Sequence, residues 1–402
     1  MFHCWLPFLA TAVLLAPSLP AHALGDTPAP SSSVDEADST ARFQVTYIWQ
    51  RKSAFGAAYS GTNSLTPEAE RRSYTFSATA FLGTRLWHGG ELYINPELIS
   101  SQSLSGLHGL GGMSNGENQK GGGPSPIVYL ARLFVRHTWN LDGGSDAVES
   151  GPNQIPGTAD KRRLTATVGK ISLIDIFDGN SVAHDPRTQF LNWSLIAHGA
   201  YDYAADSRGY TVGAALEYNQ DAWAVRVGRF AQPKESNGLP LDSRLAAHYG
   251  DQFEIERSHM LGGQPGKLRF LTFRNMARMG GFSDAVGAWN TGGQAGVPNV
   301  ADVRREQIKV GFGIGAEQSV GNDVGLFLRA SSNDGGEETY AFTEIERSTF
   351  GGVSLRGNSW GRPEDNVGLA YVRNGLSSAH RRYLANGGLG AFIGDGNISY
   401  RP

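Results

Sequence analysis

SYTFSATAFLGTRLWHGGELYINPEL, Ser73 to Leu98, alternates polar and apolar residues along one arm, turns once, and alternates again. In the first arm Tyr74, Phe76, Ala78, Ala80 and Leu82 share one phase, and Ser73, Thr75, Ser77 and Thr79 share the other. In the second, Leu92, Ile94 and Leu98 oppose Glu91, Tyr93, Asn95 and Glu97. Successive strand side chains point to opposite faces, so each arm has one apolar and one polar face. Which face meets which surroundings decides the fold.

The pattern recurs down the chain. Phe43, Val45, Tyr47 and Trp49 alternate with Gln44, Thr46 and Gln50, and Tyr129, Ala131, Leu133 and Val135 with Arg132, Arg136 and Thr138. Leu164, Ala166 and Val168 oppose Arg163, Thr165 and Thr167; Tyr210 to Tyr218 opposes Thr211, Glu217 and Asn219; Trp223, Val225 and Val227 oppose Arg226. Ile308 to Ala316 opposes Gln307, Lys309 and Glu317, Val324 to Leu328 opposes Arg329, and Val367 to Tyr371 opposes Asn366. With less regular segments near Phe253, Phe270, Tyr340, Val353 and Ile398, this makes about 14 strands of ~10 residues, the length of membrane barrel strands.

A β-sandwich alternates too, but three features favour a transmembrane antiparallel β-barrel. Full charges (Arg132, Arg136, Glu217, Arg226, Lys309, Glu317) sit deep inside long strands, where sandwich strands of that length and number are unusual. Aromatics, among them Trp49, Tyr74, Trp87, Tyr129, Trp139, Tyr218, Trp223 and Tyr371, fall near the ends of the apolar runs, as interfacial girdles do. Turns are short on one side (Gln220-Asp221, His88-Gly89-Gly90) and long and glycine-rich on the other (Ser101 to Pro126). Tyr74, Phe76 and Leu82 would then face lipid, and Glu91 and Glu97 a hydrated interior.

Residues 1–23, MFHCWLPFLATAVLLAPSLPAHA, read as a signal peptide ending in Ala21-His22-Ala23, and residues 24–41 as a flexible leader rich in Pro, Ser and Asp. Residues 42–402 form one barrel domain. Cys4 falls in the signal, so the exported part has no cysteine and needs a large core or a hydrogen-bonded sheet for stability. A balance of 35 basic against 38 acidic residues offers no case for a nucleic-acid partner. No run of about 18 apolar residues follows the signal, so helical spans are not expected.

Residues 171–209 are too long for a turn and too apolar, with Phe190, Leu191, Trp193, Leu195 and Ile196, to hang in water. They are expected to fold into the lumen and narrow it, with a short helix after Pro186 carrying Phe190, Trp193 and Ala197. This segment, with Gly61 to Leu98, QPKESNGL (Gln232 to Leu239), YGDQFEIE (Tyr249 to Glu256) and ETYAFTEIERS (Glu338 to Ser348), resembles the carbohydrate-selective porins of Gram-negative outer membranes, the OprB type. The resemblance implies a 16-stranded barrel that passes sugars by facilitated diffusion through a charged and aromatic constriction. Against that plan this chain would lack its last strand or two. It also implies an outer-membrane location with lipid around the wall; the number of subunits is not legible from the sequence.

A neutral sugar presents hydroxyls and weakly apolar ring faces, so a matching wall pairs donors with acceptors and adds an aromatic plane. By phase Arg132, Arg136, Arg163, Arg226, Lys309 and Arg329 supply donors and Glu91, Glu97, Glu217, Glu254, Glu256 and Glu317 supply acceptors, of which Arg132, Arg136, Arg226, Lys309, Glu217, Glu254 and Glu317 are the pore-lining candidates. From the insertion, Trp193 is the stacking candidate, with Asp185 and Arg187 beside it. No cofactor or metal is expected, since the ten histidines are scattered and His184-Asp185 lacks a third ligand. Gly357-Asn358-Ser359-Trp360-Gly361 matches G-x-S-x-G, but its flanks are alternating strand rather than strand-to-helix. An enzyme is therefore not expected; a barrel esterase and a structural or surface-binding barrel are the alternatives.

Overall fold

The computed structural model describes residues 37–293, 295–390 and 392–396, so the signal peptide and the strand expected near Ile398 lie outside the described residues. No helix among them is long and apolar enough to cross a membrane. The chain crosses with strands instead. The first run comprises β1 (Ser39–Lys52), β2 (Glu70–Trp87), β3 (Gly90–Gln102), β4 (Ile127–Asn140), a small hairpin of β5 (Ser145–Val148) and β6 (Gly157–Asp160), and β7 (Arg162–Ile171). The second comprises β8 (Thr211–Gln220), β9 (Trp223–Ala231), β10 (Tyr249–Leu261) and β11 (Gln264–Met279). Helix α1 (Phe282–Asn290), β12 (Arg305–Val320), β13 (Val324–Asn333), β14 (Arg347–Arg356), β15 (Asn366–Gly375) and helix α2 (Ser378–Ala385) complete it.

Thirteen strands form one antiparallel sheet in chain order, β1 to β4 and then β7 to β15, while β5 and β6 pair only with each other. An odd number of antiparallel strands leaves the edges, β1 and β15, pointing the same way, and they do not pair. Among the described residues the barrel is open, with thirteen strands in the sheet against the sixteen of the expected plan. β1 also begins at Ser39, three residues inside the segment read as leader.

Burial is inverted relative to a sandwich. Ser73, Thr75, Ser77 and Thr79 are 1–3% exposed, whereas Phe43, Val45 and Tyr47 are 50–65% exposed and Leu82 is 38% exposed. A polar face turned inward and an apolar face turned outward suit a wall between lipid and a hydrated lumen. Trp87, Trp139, Tyr218 and Trp223 stand exposed at the short-turn ends of β2, β4, β8 and β9, as an interfacial girdle requires.

Tyr129 departs from the expected phase. The β3–β4 register slips between Asn95, opposite Arg132, and Pro96, opposite Leu130, so Ala131 is bulged out of the pairing. Proline has no N–H for the ladder, and one extra residue reverses the faces beyond it. Val128 and Leu130 therefore point outward, and the Tyr129 hydroxyl reaches the Glu97 carboxylate inside. Nor is Tyr340 in a strand: it lies between β13 and β14, where the N–H groups of Tyr340, Ala341 and Phe342 donate to the Asp202 carboxylate instead of to a ladder.

Turns such as Asp221-Ala222 and Gly262-Gly263 are short at one end of the barrel, and connections 103–126, 172–210, 280–304 and 334–346 are long at the other. The β5–β6 hairpin breaks that asymmetry, since it springs from the short-turn end and folds into the lumen. Its tip residue Asn153 receives Asn95 Nδ2 at 2.8 Å and Arg136 Nη1 at 3.0 Å, and Ile155 N–H donates to the Tyr93 hydroxyl at 3.3 Å.

Candidate functional site

Segment 172–210 runs across the lumen and is fixed to the wall on both sides. Near β1 to β3, Arg187 is the anchor: its Nε donates to Glu117 and its Nη2 to Glu97, both at 2.7 Å, and its Nη1 reaches Thr79 at 3.0 Å and Gln44 at 3.2 Å. Burial alone would push the Glu117 carboxyl up, but Arg187 and Lys120 outweigh it and hold it below the usual carboxylate range. On the opposite wall Asp178 is caught between β10 and β13, its N–H donating to Glu254 at 2.6 Å and its carboxylate accepting Arg329 Nε at 2.9 Å. Behind the segment, Lys309 Nζ lies 3.2 Å from Asp202, whose carboxylate also gathers residues 340–342.

The helix expected after Pro186 does not form. Only a single 3-10 turn, Trp193–Leu195, is present, capped by Asn192. The backbone donors are spent elsewhere: Trp193 N–H bonds Met113 O at 3.0 Å, and Leu191 O receives Gly116 N–H at 2.7 Å. The result is a strap stitched to connection 103–126.

What the strap leaves open is two chambers. One of about 410 Å³, on the long-connection side, is lined by Lys120, Arg132, Arg136, Asp185, Arg187, Trp193, Tyr203 and Tyr210 among others. The second, about 590 Å³ and toward the short turns, is lined by Glu91, Arg163, Glu217, Arg226, Glu256, Arg269 and Glu317. Arg136, Gln154, Thr167, Asp175 and Ile176 line both and so stand between them. There Arg132 grips Asp175 bidentately at 2.6 Å on each oxygen, and Arg136 lies 3.7 Å from Glu91 with its guanidinium 5.0 Å from the Tyr93 ring centre. Burial would raise the Asp175 carboxyl, but Arg132 holds it down, so it stays an acceptor.

The second chamber carries a ladder of alternating charge. Register places Glu217 opposite Arg226, Arg226 opposite Glu254, and Glu256 opposite Arg269. Arg226 Nε donates to Glu217 and its Nη1 to Glu254 at 2.6 Å; Arg269 bonds Glu256 at 2.7 Å and Glu317 at 3.3 Å, and Lys267 lies 3.2 Å from Glu256. Cross-strand neighbours of opposite sign satisfy each other while presenting donors and acceptors to the chamber.

Eight of the ten residues expected to contact substrate line a chamber: Arg132, Arg136, Asp185, Arg187 and Trp193 the first, and Glu217, Arg226 and Glu317 the second. Glu254 and Lys309 are inward but 0% exposed, covered by the strap. Trp193 is itself 5% exposed, wedged edge-on between Phe342 at 5.1 Å and Phe392 at 4.8 Å. Sequence reasoning missed Tyr203, Tyr210, Lys120, Gln154 and Asp175. Tyr210 is the centre of a cation cluster, with Lys120 and Arg132 5.5 and 5.3 Å from its ring centre. The Y-D-Y of Tyr201 to Tyr203 and the following Tyr210 were the available signal: tyrosines in a long connection are costly unless packed. Ser359 lies exposed in the β14–β15 connection, in a 3-10 turn and away from both chambers, so the strand-turn-helix that a nucleophile elbow needs is not there.

A family model described as carbohydrate-selective porin, OprB family, matches residues 69–400. Among solved structures the chain is similar to the high-pH structure of Pseudomonas putida OprB, with 16% identity, a TM-score of 0.59, and coverage of 86% of this chain and 77% of that one. The low-pH structure of the same protein aligns at 13% identity and a TM-score of 0.40 over 76% and 72% of the two chains. Pseudomonas aeruginosa OccK2 aligns at 10% identity and a TM-score of 0.36 over 84% and 80%. Comparison with curated proteins returns no match. An inside-out antiparallel wall, a strapped lumen and a family match over most of the chain agree: this chain belongs to the carbohydrate-selective porin family, OprB, of the Gram-negative outer membrane.

Proposed function

We propose that mono- and small oligosaccharides diffuse passively through the first chamber, a throat and the second chamber in turn, with Arg132, Asp185 and Arg187 offering donors and acceptors before the throat, Arg136 at it, and Glu217, Arg226 and Glu317 after it. The observation that carries this reading is that two charged chambers lie in line along the lumen and share Arg136, Gln154, Thr167, Asp175 and Ile176, the boundary at which we place the throat. A wall whose charges are already paired offers a sugar hydroxyl many weak partners and an ion little net field. Trp193 contributes an aromatic edge at the chamber rim. Weak contacts permit release, so affinity belongs in the millimolar range, roughly −4 kcal/mol. In planar bilayers, neutral sugars are expected to reduce the single-channel current in a saturable, millimolar manner. A current that no sugar alters at any concentration overturns the reading.

A further inference from the structure

We infer that Arg329 is the positioning residue that sets the width of the pore, although it touches no part of the open path. Its side chain is 1% exposed and every acceptor it meets belongs to the strap. Nε bonds Asp178 Oδ1 at 2.9 Å, Nη2 bonds Asp178 O at 2.8 Å, and Nη1 bonds Ala183 O at 2.7 Å and Leu195 O at 3.2 Å. One planar fork thus holds residues 178, 183 and 195 together. Everything between Ala183 and Leu195, including Asp185, Arg187 and Trp193, is a loop closed at its base by that fork and pushed toward the β1–β3 wall.

Three neighbours make the clamp a seat and not a chance contact. Asp178 sits at φ +55°, a left-handed conformation that a non-glycine residue holds only when its surroundings fix it, and its N–H is taken by Glu254. The same carboxylate accepts His198 N–H at 2.5 Å, tying in the far end of the strap. In β12, Gly311, Gly313 and Gly315 keep the inward face bare, and a Cβ on Gly313 would fall 2.6 Å from the His198 ring, so the strap lies flush on the wall there. Arg329 supplies the donors for the strap's buried acceptors, Asp178 Oδ1 and the carbonyls of Asp178, Ala183 and Leu195.

The inference deepens the porin reading and rests on it for sugar selectivity, but its test does not need sugar. Arg329→Gln and Arg329→Lys are compared with the unaltered protein in planar bilayers, reading single-channel conductance and the size cut-off for neutral polyethylene glycols. With the fork gone the loop loses its base, and conductance is expected to rise about two-fold or more with a larger cut-off. Lysine keeps the charge but cannot reach the separated acceptors, so it is expected to behave like glutamine; a merely electrostatic role would be rescued by it. Should Arg329→Gln fail to insert, Asp178→Asn removes one arm of the clamp, and a smaller rise is expected. Unchanged conductance and cut-off in the variants that insert overturn the inference. Altered cut-off in a protein whose current no sugar blocks would sustain it while the sugar reading falls.

Discussion

Two parts of the inner wall carry the same residue types in the same phase and do different work. On β8 to β11, Glu217, Arg226, Glu256 and Arg269 face a chamber and satisfy one another across strands. On β12 and β13, Lys309 and Arg329 are sealed beneath the strap and satisfy its carbonyls and carboxylates. Inward phase determines that a charge points to the lumen; the strap's path determines whether it lies open to a chamber or is spent holding the strap. The first set should govern which ions and sugars pass, the second how wide the passage is.

The sharpest way to break that division is to remove one cation from each set. Arg226→Met leaves Glu217, Glu254 and Glu256 without their shared partner; it should cost about 3–5 kcal/mol in stability and shift the reversal potential across a salt gradient toward cations. Lys309→Met should instead raise conductance with the reversal potential unmoved. If both variants change the same quantity, the two walls are not distinct.

A somewhat smaller effect should come from acid. Burial drives the His198 imidazole down to about 4, with Asp178 opposing and Arg329 and Arg269 assisting, whereas a released imidazole titrates near 6.5. The seated strap therefore binds fewer protons than the freed one. Its seating energy is complete above about 6.5 and declines as pH falls toward 4, by up to about 3 kcal/mol. Open-channel noise should grow over that interval, and His198→Asn should remove the growth; a flat profile would count against the flush seat.

Gly313→Val tests the same seat by bulk. Its side chain enters space held by the His198 ring, at a cost of about 1–3 kcal/mol, and should widen the pore as Arg329→Gln does. Gly321→Val, in the β12–β13 turn with open space around it, is the control for insertion, although its φ of +61° adds local strain. Least is expected from Trp193→Phe: about 1 kcal/mol, or several-fold in sugar block, since Phe342 and Phe392 still support a ring there.

The sequence made the wall legible because period-two alternation needs no knowledge of distant residues. Glu217, Arg226 and Glu317 fell on the correct face by counting alone. Tyr129 did not, because one bulged residue, Ala131, reverses the count and only the missing N–H of Pro96 hints at it. That Lys309 and Glu254 are covered was not legible, since their covers, Asp202 and Asp178, lie many residues away and on an irregular path. A readable trace existed in GFGIGA, Gly311 to Ala316, where glycines at every second position leave a strand face bare enough for another segment to lie on it. The β5–β6 hairpin left no such trace, being short, polar and rich in Gly and Pro like any exposed turn.

That the hydrated, charge-paired lumen prefers sugars to other solutes of their size is best tested by liposome swelling, comparing monosaccharides and trisaccharides with polyethylene glycols of matched radius. Monosaccharides should enter faster than the matched glycols, and trisaccharides much more slowly. Equal rates for sugar and glycol at each radius would show a sieve without preference and contradict the account.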